Sequence, residues 1–359
     1  MTAASRLLVL DGHNDTLLQL YQAGPGGPGA FLTGDLPGHL DLPRARAGGF
    51  AGGFFAIFVP PPGPPPAPDD DLTITATGYS VRLADPIDPG YAQQVTLAVA
   101  AGLFRLERES GGQVQVVRTT SELAACLQRG TLGVILHFEG AEAIDPGLDA
   151  LEVFYQAGLR SLGLVWSRPN VFAHGVPFRF PHSPDTGPGL TAAGRALVRA
   201  CNALGILVDL AHLNEQGFWD VARLSSAPLV ATHTAAHALC PSTRNLTDAQ
   251  LAAIAASDGL VGLNFGVNDL RADGALDAAT PLAALVRHCD YLVAHVGIDR
   301  VAFGSDFDGT TIPEDIGDVA GLPKLIAALR AHGYDEPALR KLAHENWLRV
   351  LGQTWHDPR

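Results

Sequence analysis

The sequence predicts an α/β protein with the architecture of a (β/α)8 TIM barrel and long loops on the face where the strands end. Eight short apolar segments, several of them uninterrupted, are typical of strands buried on both faces. Helix-compatible stretches separate most of them, and this alternation within 359 residues suits one barrel. The predicted strands are Leu7–Leu10, Gly53–Val59, Gly133–His137, Ser161–Val165, Ile206–Leu210, Leu229–Thr232, Leu260–Phe265 and Val301–Gly304.

Four of the intervening stretches have clear helical character. Thr191 is a suitable N-cap for a helix over Leu190–Leu204, which ends before Gly205. The other predicted helices are Ala92–Arg108, Asp248–Ser257 and Thr280–His295.

Three regions rich in Gly or Pro are predicted to be irregular: residues 24–48, Pro60–Asp71 and residues 168–190. They follow the first, second and fourth predicted strands. We therefore expect them on the face of the barrel where enzymes of this architecture build their substrate pockets.

Composition and charge exclude several classes of function. The chain is 47% hydrophobic and 17% charged, which favours a large core over disorder. A net charge of −13 argues against nucleic acid and anionic membrane surfaces as partners. No apolar run reaches the roughly 18 residues that span a bilayer. Polar residues from Asp11 onward interrupt the first apolar stretch too early for a signal peptide.

The cysteines indicate a reducing compartment, and we expect a cytoplasmic location. They are widely spaced, and none forms a CxxC pair of the kind that holds metals or cycles disulfides. They are Cys126, Cys201, Cys240 and Cys289.

Side chains of the metal-ligand type follow five of the predicted strands. In extended chain, residues i and i+2 point the same way, so His13 and Asp15 can bind one ion. The ends of barrel strands surround one cavity, where the other ligands can join them. The candidates are His137 and Glu139 at the end of the third strand, His212 after the fifth, His233 after the sixth, and Asp306 and Asp308 after the eighth.

Three imidazoles and two carboxylates form a donor set that suits two divalent ions such as zinc. One more carboxylate, Asp306, is left for proton transfer. Asp308 is expected to support Asp306 or to hold its loop. The predicted ligands are His13, Asp15, Glu139, His212 and His233, whereas His137, His174, His182 and His237 are not taken as ligands.

Beyond single residues, the chain carries DGHNDT, HFEGAEAI, LVDLAHL, ATHTAAHALCPSTRNLTDAQ and GSDFDG in that order. With the C-terminal stretches GDVAGLPKLIAALRAHGY and HENWLRVLG, these motifs resemble the membrane (renal) dipeptidase family of zinc metallopeptidases, which is related to the amidohydrolases. The resemblance covers nearly the whole chain. It implies a bacterial-type soluble member with one (β/α)8 metallohydrolase domain over residues 1–359, and often a homodimer.

By these motifs, the resemblance implies two zinc ions per chain, bridged by Glu139 and a hydroxide. His13 and Asp15 would hold one ion, and His212 and His233 the other. Many amidohydrolases use a carbamylated lysine as the bridge. The only lysines of this chain, Lys324 and Lys341, lie in the C-terminal helical region, which independently favours the glutamate.

The resemblance also implies roles for two further residues. Asp306 matches the acid/base aspartate of the family. Arg244, in PSTRNLTD, matches the arginine that binds the C-terminal carboxylate of the substrate. A planar guanidinium pairs with a carboxylate through two parallel hydrogen bonds, which suits that role.

One departure from the family pattern concerns the substrate. Renal members have a substrate-contacting histidine at the end of the fourth strand, in a Leu-Thr-His run. Here the equivalent run is Leu164–Val165–Trp166. An indole donates one hydrogen bond but carries no charge. Either Trp166 or the nearby Arg168 therefore contacts the substrate in its place, or the substrate differs.

The resemblance implies a metallo-dipeptidase that hydrolyses the peptide bond of dipeptides and tolerates a C-terminal D-residue. One alternative is another amidohydrolase-type reaction on the same metals, such as hydrolysis of an N-acyl-amino acid or a lactone. The second is a non-catalytic metal-binding relative, which Asp306 disfavours because metal binding alone does not require it.

Overall fold

The structure, a computed structural model, describes residues 7–63 and 71–356. In chain order its strands are β1 (Val9–Asn14), β2 (Phe50–Phe58), β3 (Leu72–Ile74), β4 (Tyr79–Val81), β5 (Val114–Val116), β6 (Leu132–Glu139), β7 (Leu159–Gly163), β8 (Arg179–Phe180), β9 (Leu207–Asp209), β10 (Val230–Thr234), β11 (Leu260–Leu263) and β12 (Val301–Phe303).

Eight parallel strands form a nearly closed barrel, as the sequence predicts. Their spatial order is β1-β2-β6-β7-β9-β10-β11-β12, which is also their order in the chain. Beyond the end of β12, the Asp306 amide donates to the His13 carbonyl (3.0 Å) and the Asp15 amide donates to the Phe307 carbonyl (2.8 Å). These two bonds bring the last barrel strand against the first.

All eight predicted barrel strands are present, and β1 runs further than predicted. The prediction ends at Leu10 because polar residues follow. In the structure those residues are buried and bonded inside the barrel: Asp11 accepts hydrogen bonds from the amide and hydroxyl of Ser305, and Asn14 donates to the Phe54 carbonyl. As a result, His13 belongs to the strand itself, and its side chain is completely buried.

The helices in chain order are α1 (Thr16–Gln22), α2 (Gly27–Thr33), α3 (Leu42–Gly48), α4 (Pro89–Glu109), α5 (Thr120–Arg129), α6 (Asp149–Ala157), α7 (Ala192–Leu204), α8 (Glu215–Leu224), α9 (Asp248–Ala256), α10 (Val267–Leu270), α11 (Leu282–Val296), α12 (Leu322–His332), α13 (Glu336–Arg340) and α14 (Asn346–Thr354). Three short 3-10 turns (Gly24–Gly26, Ile298–Arg300 and Val319–Gly321) and a π-helical turn (Lys341–Glu345) complete the described elements.

The four predicted helices are confirmed as α4, α7, α9 and α11. The predicted cap of α7 is also present, since the Thr191 side chain accepts a hydrogen bond from the Gly194 amide. Gly205 ends that helix in the left-handed conformation.

The prediction that residues 24–48 are irregular is wrong, because α2 and α3 lie there. Pro28 and Pro43 sit in the first turns of these helices, where a missing backbone donor costs nothing. Gly34 and Gly49 end them in the left-handed conformation. These four residues thus mark helix ends, and the prediction holds only for residues 34–41 between the two helices.

The other two regions predicted as irregular follow the strand ends. Of Pro60–Asp71, residues 64–70 lie outside the described residues. Residues 168–190 are irregular except for β8. The strands β3, β4 and β8 form a small antiparallel sheet that the sequence does not predict, because each has only two or three residues.

The N-terminal end of the barrel is filled by Trp347 from α14. Its side chain is completely buried, and its indole N–H donates to the Phe303 carbonyl at 3.0 Å. A Cβ atom at Gly12 would lie 2.4 Å from the indole, so only glycine fits there. The barrel is therefore packed at that end, and its chemistry lies at the other. Among the described residues, no helix is long and apolar enough to cross a membrane.

Candidate metal centre and substrate cavity

Glu139 lies at the centre of the predicted ligands. It is the last residue of β6, and its Oε1 atom is 3.0 Å from His212 Nε2. The same oxygen is 3.7 Å from His13 Nε2 and 3.7 Å from His233 Nε2. The strands β1, β6 and β10, with the segment after β9, therefore bring one carboxylate against three imidazoles.

The ligand atoms form overlapping groups that could each hold a metal ion. One group is His13, Asp15 and Glu139, in which Asp15 Oδ2 lies 3.5 Å from His13 Nε2. A second is Glu139, His212 and His233. These two groups share Glu139, as in the division of ligands that the family resemblance implies. A third group joins His13, His233 and Asp306.

Buried polar atoms without partners show that metal ions fit these residues. Within the described part of the chain, both ring nitrogens of His13 and the Oδ1 atom of Asp15 are buried and accept or donate no hydrogen bond. Such atoms cost free energy unless something binds them. Imidazole nitrogens and carboxylate oxygens are the donors that zinc prefers outside thiolate sites.

A chain of hydrogen bonds fixes the tautomer of His233. The Thr232 hydroxyl donates its only proton to Asp209 Oδ2 at 2.6 Å. In its contact with His233 Nδ1, 2.9 Å away, the hydroxyl oxygen must therefore be the acceptor, and Nδ1 carries the proton. His233 Nε2 is then left with a free lone pair that faces Glu139. Orientation of a metal-binding histidine by a hydrogen bond to its other nitrogen is common in metal centres.

His212 is held by the Ser167 hydroxyl, 2.9 Å from its Nδ1 atom. Its Nε2 atom lies 3.1 Å from His233 Nε2. His137, which the sequence analysis leaves out of the ligand set, instead contacts the Ser161 hydroxyl at 2.9 Å through Nδ1 and belongs to none of the three groups.

The electrostatics of the cluster favour a bound cation. Burial lowers the pKa of His13, but the carboxylates of Glu139, Asp15 and Asp306 outweigh it and raise that pKa to about 10. Burial and the neighbouring Asp15 raise the pKa of Glu139. Both His13 and Glu139 therefore hold protons more tightly than usual, because several carboxylates lie close together. A divalent ion bound there would neutralise the negative charge of these carboxylates.

Asp306 lies three residues beyond β12 and faces the same cavity. Asn264 donates a hydrogen bond to its Oδ2 atom at 3.1 Å. Burial raises the pKa of Asp306 to about 6, while the charge on His13 acts to lower it. The backbone of Asp306 is left-handed, with a φ of 60°, and so is that of His212, with a φ of 63°. Such strain in residues other than glycine is concentrated at functional sites.

Asp308 anchors the loop that carries Asp306. Its side chain accepts hydrogen bonds from the Thr16 hydroxyl (2.7 Å) and the His39 amide, and its own amide donates to His39 Nδ1 (2.9 Å). The loop after β12 is thereby tied to α1 and to the segment before α3, as expected of a residue that holds the loop.

A cavity of about 180 Å³ opens over these ligands. Half-buried aromatic side chains form one wall: Phe58, Trp166 and Phe178. Arg244 also lines the cavity; its side chain is buried, and it donates to the His233 carbonyl at 3.3 Å. The volume lies below the ~300–1,000 Å³ typical of pockets for drug-sized ligands. The space suits a small substrate.

The structure does not bring Arg168 into the cavity with the other predicted residues. Its Nε atom donates to Glu142 Oε1 at 2.7 Å and its Nη2 atom to the Val59 carbonyl at 2.6 Å. The guanidinium carbon lies 5.1 Å from the ring centre of Phe58 and 5.4 Å from that of Trp166. This buried position favours a role in holding the aromatic wall over the direct substrate contact that the sequence suggests.

Arg168→Ala is expected to destabilise the protein by about 3–5 kcal/mol, because it leaves the carboxylate of Glu142 buried without its partner. Urea unfolding of the wild type and the variant measures the loss. The double variant Glu142→Gln/Arg168→Met is the control and should lose less, since it leaves no buried charge unpaired. A single variant as stable as the double one would contradict the importance of this pair.

Sequence reasoning missed several residues of the site. Asn264, which bonds Asp306, lies inside the seventh predicted strand; Asp269 follows that strand and lines the cavity, as does Phe58 near the end of the second strand. The available signal was the set of Asn and Asp residues after LVGL, in NFGVND. That run resembles an ordinary surface loop unless the barrel is already assumed.

Comparisons with known proteins agree with this geometry. The profile of the membrane dipeptidase family (peptidase family M19) matches residues 2–356. A crystal structure of a metallo peptidase from Rhodobacter sphaeroides, liganded with a phosphinate mimic of the dipeptide L-Ala-D-Ala, is 55% identical with a TM-score of 0.94, covering 98% of this chain and 100% of that one. A second structure, the dipeptidase AC of family M19, is 54% identical with a TM-score of 0.92, covering 98% of this chain and 99% of its own.

A curated relative from Klebsiella pneumoniae, described as an uncharacterized protein in the pqqA 5' region, is 51% identical over 273 residues. The match covers 76% of this chain and 98% of the relative.

Proposed function

This chain belongs to the membrane dipeptidase family, peptidase family M19, and is a metallopeptidase; from that premise we propose that it hydrolyses dipeptides with two zinc ions and accepts a D-residue at their C-terminus. The observation that carries the proposal is the position of Glu139, within 3.7 Å of three imidazole nitrogens in a cavity that also holds Arg244 and Asp306. The phosphinate mimic of L-Ala-D-Ala bound to the relative supports the tolerance of a D-residue.

The residues that would hold the metals are those of the two groups that share Glu139. His13 and Asp15 would hold one zinc, His212 and His233 the other, and Glu139 both. When bound, the ions would polarise the scissile carbonyl and acidify the attacking water. The hydrogen bonds from His233 to Thr232 and from Thr232 to Asp209 hold His233 in the tautomer whose Nε2 lone pair can bind a metal.

Arg244 would bind the C-terminal carboxylate of the substrate. Its planar guanidinium suits that partner, and the donor bond to the His233 carbonyl fixes where the guanidinium lies relative to the metal ligands. A carboxylate held at one end of a cavity of about 180 Å³ sets the register of the scissile bond and favours short substrates.

Asp306 would carry the proton. As a carboxylate it accepts a proton from the attacking water, and as an acid it donates that proton to the leaving amine nitrogen. The bond from Asn264 holds one of its oxygens, which leaves the other free for this transfer.

Trp166 would stand where renal members have a histidine. Its indole N–H can donate to the substrate carbonyl without a charge. Its ring packs against Phe58 and Phe178, with ring centres 5.0 Å and 5.6 Å away, and this wall excludes water from one side of the cavity.

The proposal extends to organisation and location. We take residues 1–359 as one metallohydrolase domain, since a single family profile spans residues 2–356. The homodimer rests on the family resemblance, and sedimentation velocity tests it. The cytoplasm is supported by four cysteines that are all free and buried.

A substrate panel tests the proposed function. The zinc-loaded enzyme should hydrolyse L-Ala-D-Ala, with L-Ala-L-Ala as the comparison, bind about two zinc ions per chain by elemental analysis of the same sample, and lose its activity to a chelator. Zinc should restore the activity. An N-acetyl-amino acid and a lactone are included as competitors. Faster turnover of either compound than of every dipeptide would favour the alternative amidohydrolase reaction and contradict the proposal.

A further inference from the structure

Asp269 is a cavity carboxylate that the proposed mechanism does not use. It lies in α10, just beyond the end of β11, and lines the cavity although it is only 5% exposed. The other carboxylates of the cavity already have roles at the metals, in proton transfer or in holding a loop. A buried charge without a task is expensive to retain.

The hydrogen bonds of Asp269 are incomplete. Its Oδ1 atom accepts from the Ser242 hydroxyl at 2.8 Å. Across the described residues, its Oδ2 atom accepts no hydrogen bond and the carboxylate forms no ion pair, and since this atom is not fully enclosed it can be reached from the cavity. Burial raises the pKa of Asp269, and the charge of Arg244 acts against that rise. A donor arriving in the cavity would complete the pairing.

Ser242 places this carboxylate beside the site for the substrate's C-terminus. The hydroxyl that donates to Asp269 also accepts a hydrogen bond from the Arg244 amide at 3.2 Å. Arg244 would hold the C-terminal carboxylate of the substrate. The side chain of the C-terminal residue of the substrate branches from the Cα atom next to the substrate carboxylate. This side chain is therefore the part of the substrate that can reach Asp269.

We propose that Asp269 is a specificity residue that selects dipeptides whose C-terminal residue carries a cationic side chain, an amine or a guanidinium. The inference rests on the proposed function, because it takes Arg244 as the site of the C-terminal carboxylate. The aromatic wall of Phe58, Trp166 and Phe178 offers no charge. The two residues of the substrate would therefore be distinguished by charge on one side and by apolar surface on the other.

The test compares two dipeptides of equal length, L-Ala-lysine and L-Ala-norleucine, with the C-terminal residue in the hand that the wild type prefers. The kcat/KM ratio of lysine over norleucine should be roughly 10- to 100-fold in the wild type, as expected for one hydrogen bond between charged groups. In Asp269→Asn the ratio should fall close to one. Asp273→Asn, which removes an exposed charge paired with Arg271, is the matched control and should keep the wild-type ratio.

Two results would overturn this assignment. The first is a wild-type ratio near one, which needs no variant and is unaffected if Asp269→Asn fails to fold. The second is an equal loss for both substrates in Asp269→Asn with the ratio preserved, which would mean that Asp269 only orients Arg244. Failure of the proposed function looks different, because neither these dipeptides nor L-Ala-D-Ala would be hydrolysed by the zinc-loaded enzyme, and both proposals would fall.

Discussion

Asp306→Asn is expected to lower kcat by about 10²- to 10⁴-fold while the zinc content stays at the wild-type value. The amide has the shape of the carboxylate and can still accept the hydrogen bond from Asn264. It cannot take a proton from water or give one to the leaving amine. The loss should therefore appear in kcat, measured on the best dipeptide of the panel.

Elemental analysis of the same sample separates the two roles open to Asp306. It lies close enough to His13 and His233 to act as a ligand. Loss of zinc in Asp306→Asn would identify a ligand, and turnover near that of the wild type would refute the proton carrier. Asp306→Glu serves as the control: it keeps the acid but displaces it by one methylene group, so it should retain more activity than the amide.

Glu139→Ala is expected to lose at least one zinc ion per chain. Its carboxylate is the ligand shared by the two groups that would hold the two ions, so its removal affects both proposed metal sites. Metal binding stabilises the folded state in proportion to occupancy and affinity. Added zinc should therefore raise the Tm of the wild type by more than that of the variant.

Glu139→Asp provides the matched comparison, because it keeps the charge and shortens the reach. It should bind more zinc than Glu139→Ala and less than the wild type. Two zinc ions retained by Glu139→Ala would show that Glu139 does not bridge the metals. That result would point to the third group, which contains Asp306, as the remaining source of a carboxylate ligand.

The barrel and the clustering of the candidate ligands were predictable because both follow from one pattern, an apolar strand that ends in a side chain of the metal-ligand type. A buried parallel strand needs apolar residues on both faces, and the residue after it points into the common cavity. The pattern fails where polar residues are buried in bonded pairs. Asp11 with Ser305 extends β1 beyond its apolar part, which the letters of the sequence alone do not reveal.

The position of Arg168 could not be predicted, since it depends on packing between segments far apart in the chain, and that of Asp269 depends on how a short helix lies beside the strand that precedes it. Arg168 is three residues past its predicted strand, yet its guanidinium lies outside the cavity because it is hydrogen-bonded to Glu142 and to the Val59 carbonyl. Asp269 reaches the cavity only because the short helix α10 folds over the end of β11. Arg168 has no local signal, and the run NFGVND that contains Asp269 resembles an ordinary surface loop unless the barrel is already assumed.

The left-handed backbone at His212 and Asp306 has a consequence for attempts to make the enzyme more heat-resistant. Glycine relieves this strain, so a glycine at either position could strengthen the fold while removing the proposed metal ligand or the proposed proton carrier. A screen that rewards only resistance to heat would then collect inactive proteins. Selection for activity and heat resistance together should preserve the His212 and Asp306 side chains. The active protein would then keep two residues in an unfavourable backbone conformation, at some loss of stability.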